Sequence, residues 1–377
     1  MSGPVVSPDG KHVWNGKEWL PFYSNAPNIQ DSVIMGDVNT NFTQNISHVD
    51  TEEVVSSMIE ALRRLGISKE TQDIKIDDTQ KNELKKIIET SESLHKRGRV
   101  FSAEYETKIA HASKLIGDLR TAETHYIRAL EYLQLRGYEQ DIIAAMGNLG
   151  TLYCTIGQLN KAENIFRKLK IYVGGNQLFE AITRINLASV FLDRDEYDTA
   201  YSEYKESFRI SSRLGNQELM CAALAGTGQS LIKMNKLLFT SIHIKRSLRM
   251  SKRLNHTQYE TINLTSLGDY YLKKGKYDKS SKYYHKAKKL CLKEGFKQEL
   301  IYIEMGFADL VLKQKNDFSS ALEYLKNCLH ISRNYGYELD ESNIMRELGK
   351  IYHLMGNQTE SNNWIEQSSK KRKLLLN

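Results

Sequence analysis

The sequence predicts an all-α solenoid of stacked helical hairpins, on three observations. A small residue recurs at Ala110, Gly150, Ala188, Gly228, Gly268, Ala308 and Gly349, at intervals of 40, 38, 40, 40, 40 and 41 residues. Companion residues keep step: Tyr153, Phe191, Leu231, Tyr271, Val311 and Tyr352 follow three residues on, and Gly117, Gly157, Gly275 and Gly356 stand where a first helix should stop. All four prolines fall within the first 27 residues, leaving 350 consecutive residues without the one that breaks helices.

A fixed period of this size marks units that cannot bury their apolar face alone and therefore stack. With the small residue as position 8, it lets a second helix approach closely while the bulky residue one turn later fills the space beside it. Ala122, Ala162, Ala200, Thr240, Ser280, Ala321 and Ser361 supply the matching small position on the second helix. Each unit is a helical hairpin.

This pattern resembles the tetratricopeptide repeat family. Leu149, Gly150, Tyr153, Ala162, Phe166 and Leu169 carry it, and again Leu267, Gly268, Tyr271, Tyr284 and Ala287, over about residues 101–375. The resemblance implies a right-handed α-α superhelix of seven repeats spanning 101–377, whose concave groove binds other polypeptides. Two departures stand out: the period is about forty rather than thirty-four, and no copy has the usual terminal proline. Six extra residues at about 1.5 Å each lengthen the helices by nearly two turns in total. Long helices of this kind resemble the subclass found in kinesin light chain, polarity adaptors and bacterial peptide-sensing regulators, which binds rather than catalyses.

Ahead of the repeats, residues 1–27 form a head in which Asn15-Gly16, a strong hairpin signal, lies between Trp14 and Trp19. Such a ribbon is marginal alone, so it docks on this chain or a partner, or else remains a tail with a transient hairpin. Residues 28–49 are polar without a helical period and read as a linker, or as a strand added to another sheet. From Asp50, the residues Val54, Val55, Met58, Ile59, Leu62 and Leu65 recur at helical spacing, with Asp50 and Glu53 placed for a capping box. A second helix is expected over about Gln80 to Lys96. Residues 50–100 then form a helical cap covering the first repeat, as a solenoid end requires.

Composition bounds the function. At 377 residues, 40% hydrophobic and 26% charged, the chain is long enough for a large core. Cys154, Cys221, Cys291 and Cys328 are far apart, each within an expected helix, and read as small packing residues in a reducing compartment. No apolar run approaches twenty residues, and no basic-then-apolar leader is visible, so the expected location is the cytoplasm. Gly226-Thr227-Gly228 lacks the third glycine of a phosphate loop, no His-Glu-x-x-His occurs, and no Ser-His-Asp spacing suggests a nucleophile. The expectation is a non-enzyme without cofactor or metal.

The functional surface expected from the resemblance is the inner face built by the first helices. Lys108, His111, Asn148, Thr151, Asn186, Ser189, Gln229, Lys233, Ser266, Asp269, Lys273 and Arg346 are the groove candidates, with Asp193 and Lys313 at equivalent positions. Asn148 and Asn186, one unit apart, can donate and accept to the backbone of an extended peptide, or merely wet a concave surface. Gly226, Ser266, Gly306 and Glu347 at the same position interrupt an asparagine ladder. Of the five residues of a chaperone-tail carboxylate clamp, only Asn148 matches, so that activity is not expected.

Residues 233–297 hold fourteen lysines and three arginines against four acidic residues, while the whole chain carries a net +7. Lys282, Lys286, Lys289 and Lys293 share one helix face and Arg246, Arg249 and Arg253 another. This basic face is a solvated surface or a site for acidic partners, with RNA the weakest alternative because stacking aromatics are not interleaved. The expected function is a scaffold or adaptor binding peptide segments of an unidentified protein. The alternative is a peptide-switched signalling or transcriptional regulator.

Overall fold

The structure, a computed structural model, describes residues 12–14, 19–21, 51–64, 77–98 and 100–376. Strand β1 (His12–Trp14) pairs antiparallel with β2 (Trp19–Pro21), placing Trp14 opposite Trp19. A two-residue Asn15-Gly16 turn would instead have set Trp14 opposite Lys17. The expected linker, Asp50 and Leu65 lie outside the described residues.

Helices α1 (Thr51–Arg64) and α2 (Asp78–Lys96) precede the repeats. A reciprocal cap starts α2: Asp77 Oδ1 accepts from the Gln80 amide at 2.8 Å, and Gln80 Oε1 accepts from the Asp77 amide at 2.9 Å. Met58, Leu62, Leu84, Ile87 and Leu94 bury with Phe101, Tyr105 and Ile109 in one core, so these helices share their apolar faces with the first repeat.

Seven helix pairs follow among the described residues. They are α3 (Ala103–Ile116) with α4 (Leu119–Arg136), α5 (Glu139–Ile156) with α6 (Leu159–Tyr172), and α7 (Gln177–Asp193) with α8 (Tyr197–Arg213). Next come α9 (Gln217–Lys233) with α10 (Thr240–Arg253), α11 (Thr257–Lys273) with α12 (Tyr277–Glu294), α13 (Lys297–Lys315) with α14 (Phe318–Tyr335), and α15 (Glu338–Leu354) with α16 (Gln358–Leu376). The expected small residues on the second helices, from Ala122 to Ser361, are all fully buried.

Each first helix ends on a left-handed residue: Gly117, Gly157, Gly275 and Gly356 where glycine was legible, and Asp195, Asn235 and Asn316 in the other copies. The amide after that residue closes the turn onto the carbonyl of the bulky residue, as in Gln158 to Tyr153 at 2.8 Å and Lys276 to Tyr271 at 2.9 Å. In α13 the left-handed residue comes one position later, which accounts for the interval of 41. The interval of 38 falls where the short α6 starts only two residues after Gly157, whereas the equally short α10 starts five residues after Asn235 and its unit keeps 40.

Close approach is what the small residues provide. A Cβ on Gly150 would stand 2.5 Å from the Phe166 ring, one on Gly228 2.5 Å from Ile244, and one on Gly268 2.3 Å from the Tyr284 ring. Two further glycines take a ring from the preceding repeat: Gly226 meets Tyr204 at 2.2 Å and Gly306 meets Tyr284 at 2.6 Å. Each such ring therefore fills the space both within and between repeats.

First helices of successive repeats touch one another, α5 to α7 to α9 to α11 to α13, and therefore form the inner wall. The superhelix completes a turn and meets itself: α15 packs on α5 and α16 on α6. Leu339 and Leu375 join the apolar core of the early repeats, and a Cβ on Gly157 would lie 2.7 Å from Leu339 Cβ. Arg372 of α16 reaches Asp195 Oδ2 at 3.2 Å, across 177 residues of sequence. The Lys81 ammonium of α2 lies 5.8 Å from the Tyr335 ring of α14.

Replacing Gly226 by alanine forces a methyl against a rigid buried ring. Overpacking of about 1–3 kcal/mol, offset by roughly 1 kcal/mol of helix propensity, gives an expected net loss of up to about 2 kcal/mol in denaturant or thermal unfolding. Gly147→Ala, where a Cβ meets nothing within 4 Å, should be neutral or stabilising by up to about 1 kcal/mol.

Candidate functional site

The inner wall is made of residues repeating at fixed positions of the first helices. Thr151, Lys233 and Lys273 are exposed there, and Asn148, Asn186, Ser189, Gln229, Asp269 and Arg346 are half-buried. Three candidates do not face an open groove. Ser266 is buried; Lys108 is buried with its ammonium 3.0 Å from Glu104 Oε1; His111 is buried edge-on to Tyr126, with ring centres 5.6 Å apart. The Lys108 and His111 side chains both found partners within the first repeat, which sequence position alone did not reveal.

The side-chain amides of Asn148 and Asn186 make no hydrogen bond among the described residues. The interruption of that row at Gly226 and Gly306 has a packing cause, since the Tyr204 and Tyr284 rings occupy the space an asparagine would need. Those two phenols reach the inner wall: Tyr204 Oη and Ser189 Oγ are 2.9 Å apart, and the Tyr284 hydroxyl donates to Asp269 Oδ1 at 2.6 Å.

Closure of the superhelix brings in residues that the repeat register did not single out. Asp340, in the first turn of α15, accepts from the Tyr302 hydroxyl at Oδ1 (2.9 Å) and from Gln298 Nε2 at Oδ2 (2.9 Å). Arg372 donates to Asn343 Oδ1 at 3.0 Å as well as to Asp195. Tyr302 stands at position 2 of its unit and was accessible to the register argument; Asp340 and Arg372 have no signal within one repeat.

The basic face lies outside this channel. Arg246, Arg249 and Arg253 are exposed on α10, and Lys282, Lys286, Lys289 and Lys293 are exposed on α12. Tyr284 is buried and Tyr283 stacks on Tyr271, with centres 5.4 Å apart and planes at 8°, so both rings are used in packing. The sequence reading expected no metal ligands; the structure gathers His95, Glu106 and His125 at the junction of α2, α3 and α4.

The family model for the tetratricopeptide repeat matches residues 263–293, within α11 and α12. No curated protein matches this sequence significantly. Among solved structures, a Rap protein complexed with Competence and Sporulation Factor aligns with a TM-score of 0.60 at 14% identity, over 86% of this chain and 98% of that one. NprR in complex with its cognate peptide NprX aligns with a TM-score of 0.57 at 14% identity, over 85% and 89% respectively. Aspartyl phosphate phosphatase F from Bacillus subtilis gives 0.54 at 14% identity, over 87% and 85%. The chain is a tetratricopeptide-type helical repeat protein. At such identities the likeness is one of fold.

Within the tetratricopeptide superhelix, burial governs the carboxylates of the inner wall. Asp193 keeps some solvent contact yet is surrounded by protein; this burial, then the Asp340 carboxylate, pushes it up to about 7, against the opposing pull of Lys233. Burial pushes Asp340 up to about 6 despite its two donors. Asp269 is likewise raised by burial, against its Tyr284 hydrogen bond, and Lys273 is lowered by burial and by Lys233 and Lys313. The inner wall thus holds carboxylates raised by burial beside lysines that repel one another.

For Asp193 the folded value lies above the unfolded value of 3.8, so its folded form holds the proton more tightly. Its contribution is fully present below about pH 4 and is lost as pH rises towards 7. Asp193→Asn should therefore unfold at the wild-type temperature near pH 4 and at a higher temperature than wild type above pH 7, measured by thermal unfolding across that range.

Proposed function

We propose that the inner channel binds a short extended peptide carrying a basic side chain, and that the protein acts through this binding as an interaction adaptor in the cytoplasm. The observation that carries the reading is the pair of unpartnered amides, Asn148 and Asn186, one repeat apart on the inner wall. A peptide backbone presents alternating donors and acceptors, and each asparagine amide can satisfy one of each. Asp193 lies seven residues beyond Asn186 on α7, on the same face, so a peptide held by the amides passes the carboxylates. A lysine or arginine placed between Asp193 and Asp340 relieves two carboxylates that repel each other in an enclosed space. The Rap protein complexed with Competence and Sporulation Factor and NprR complexed with its cognate peptide share this fold and support the reading.

The contact of Arg372 with Asp195 favours a second reading, in which the peptide switches the protein. That contact joins the last repeat to the third, so a ligand entering beside Asp193 competes for or reinforces the same closure. Arg372→Ala should enlarge the radius measured by X-ray scattering in the absence of peptide.

Selection from a library of random short peptides tests the main reading. Enriched sequences should contain lysine or arginine, and Asn148→Ala/Asn186→Ala should weaken them by roughly 5–150-fold, the equivalent of two hydrogen bonds. Enrichment of acidic sequences that survives the double substitution and falls steeply with salt would instead assign binding to the basic face of α10 and α12.

A further inference from the structure

The joint between the cap and the first repeat holds a cluster that the channel does not use. Glu92 and His95 stand three residues apart on α2 and so share a face; Glu106 comes from α3 and His125 from α4. Glu106 and His125 are buried, at 2% and 0% exposure, and His95 is mostly covered. His125 Nδ1 lies 2.6 Å from Glu106 Oε2, and His95 Nε2 lies 2.9 Å from Glu106 Oε1. His125 Nε2 is 3.0 Å from Glu92 Oε1, which also accepts from Arg128 at 2.8 Å. One donor atom each from His95, Glu106 and His125 lies within 4.8 Å of the other two.

Two features set this apart from an ordinary buried ion pair. His95 Nε2 and His125 Nε2 are buried without a hydrogen bond: each sits near a carboxylate oxygen but off the line that a bond requires. Buried polar atoms in native proteins are nearly always satisfied, and an ion is one of the few explanations for an exception. Charge points the same way. Arg128 balances Glu92, so the positive charge that the buried Glu106 carboxylate needs comes either from a protonated imidazole or from an ion held between the two.

We propose that His95, Glu106 and His125 bind one divalent transition-metal ion of the zinc class. Two imidazoles and a carboxylate are a ligand set suited to that class. Ligand atoms about 2.0–2.1 Å from zinc stand roughly 3.3 Å apart in a tetrahedron, so the two contacts with Glu106 open by about half an ångström, and the imidazole nitrogens already lie within 4.8 Å of each other. With the ion at Nδ1, His125 Nε2 faces Glu92 Oε1 at 3.0 Å, and a small turn of the ring supplies the hydrogen bond it lacks, which gives the arrangement of carboxylate, histidine and ion common in such sites. Because the ligands come from α2, α3 and α4, the ion ties the cap to the first repeat, and its binding is coupled to their docking. The competing state places a proton where the ion would be, with His125 as an imidazolium between Glu92 and Glu106.

Titration of the chelator-stripped full chain with Co2+ decides between them. The metal reading expects one Co2+ per chain with the intense visible bands of four-coordinate cobalt, displaced by one equivalent of Zn2+. Glu106→Gln and His125→Asn should abolish the bands, and Glu92→Gln should weaken binding about 10–100-fold while keeping their shape. His95→Gln, at the least buried ligand, serves if the other two fail to fold. A wild-type spectrum that remains that of hydrated cobalt overturns the proposal. So does binding by His95→Gln as tight as wild type, or a His125 imidazolium that persists in nitrogen NMR at metal saturation.

Discussion

The structure depends on one packing event repeated along the chain: a ring or branched side chain of a second helix seated where a first helix has almost no side chain. Phe166 sits on Gly150, Ile244 on Gly228, and Tyr284 on Gly268 and Gly306 together. Interiors are close-packed, so the distance between helices follows from what fills that gap. Tyr204 and Tyr284, shared by two repeats, set the step from one hairpin to the next as well as the spacing inside one. Their hydroxyls then emerge on the inner wall, bonded to Ser189 and Asp269, so the same side chains that hold the stack also shape the channel.

Seven such steps bring the last repeat onto the first ones. Gly157 shows the consequence, since it ends α5 in a left-handed turn and also leaves room for Leu339 of α15. Closure turns an open groove into an enclosed channel, and the enclosure changes its chemistry. Carboxylates that open solvent would keep ionised are surrounded by protein, and Asp193 and Asp340, brought together from repeats three and seven, are both pushed upward. The meeting of these two carboxylates thus arises from the path of the superhelix rather than from any single motif.

The other end of the first repeat is held by different means. The core shared by Met58, Leu62, Leu94, Phe101 and Tyr105 covers an apolar face that would otherwise meet water. Beside it, Glu106 and His125 put ionisable groups in the interior at the junction of α2, α3 and α4. Apolar burial is indifferent to orientation, whereas a set of donors converging on one point is not, so the two together fix how the cap sits.

The sequence by itself determined the repeat, because a period of forty is written in residue size: small at Gly150 and Gly268, bulky at Tyr153 and Tyr271, each a local requirement of helix packing. It also determined where first helices stop at Gly117, Gly157, Gly275 and Gly356, since glycine adopts the left-handed turn without strain. Asp195, Asn235 and Asn316 do the same work with residues that carry no such signal when read alone. Only the tertiary structure decided that Lys108 and His111 are buried, that Tyr204 displaces an asparagine at Gly226, and that Asp340 and Arg372 reach repeat three. Those outcomes depend on how a small rotation per repeat accumulates over seven units, and no local pattern encodes a contact made across 177 residues of chain.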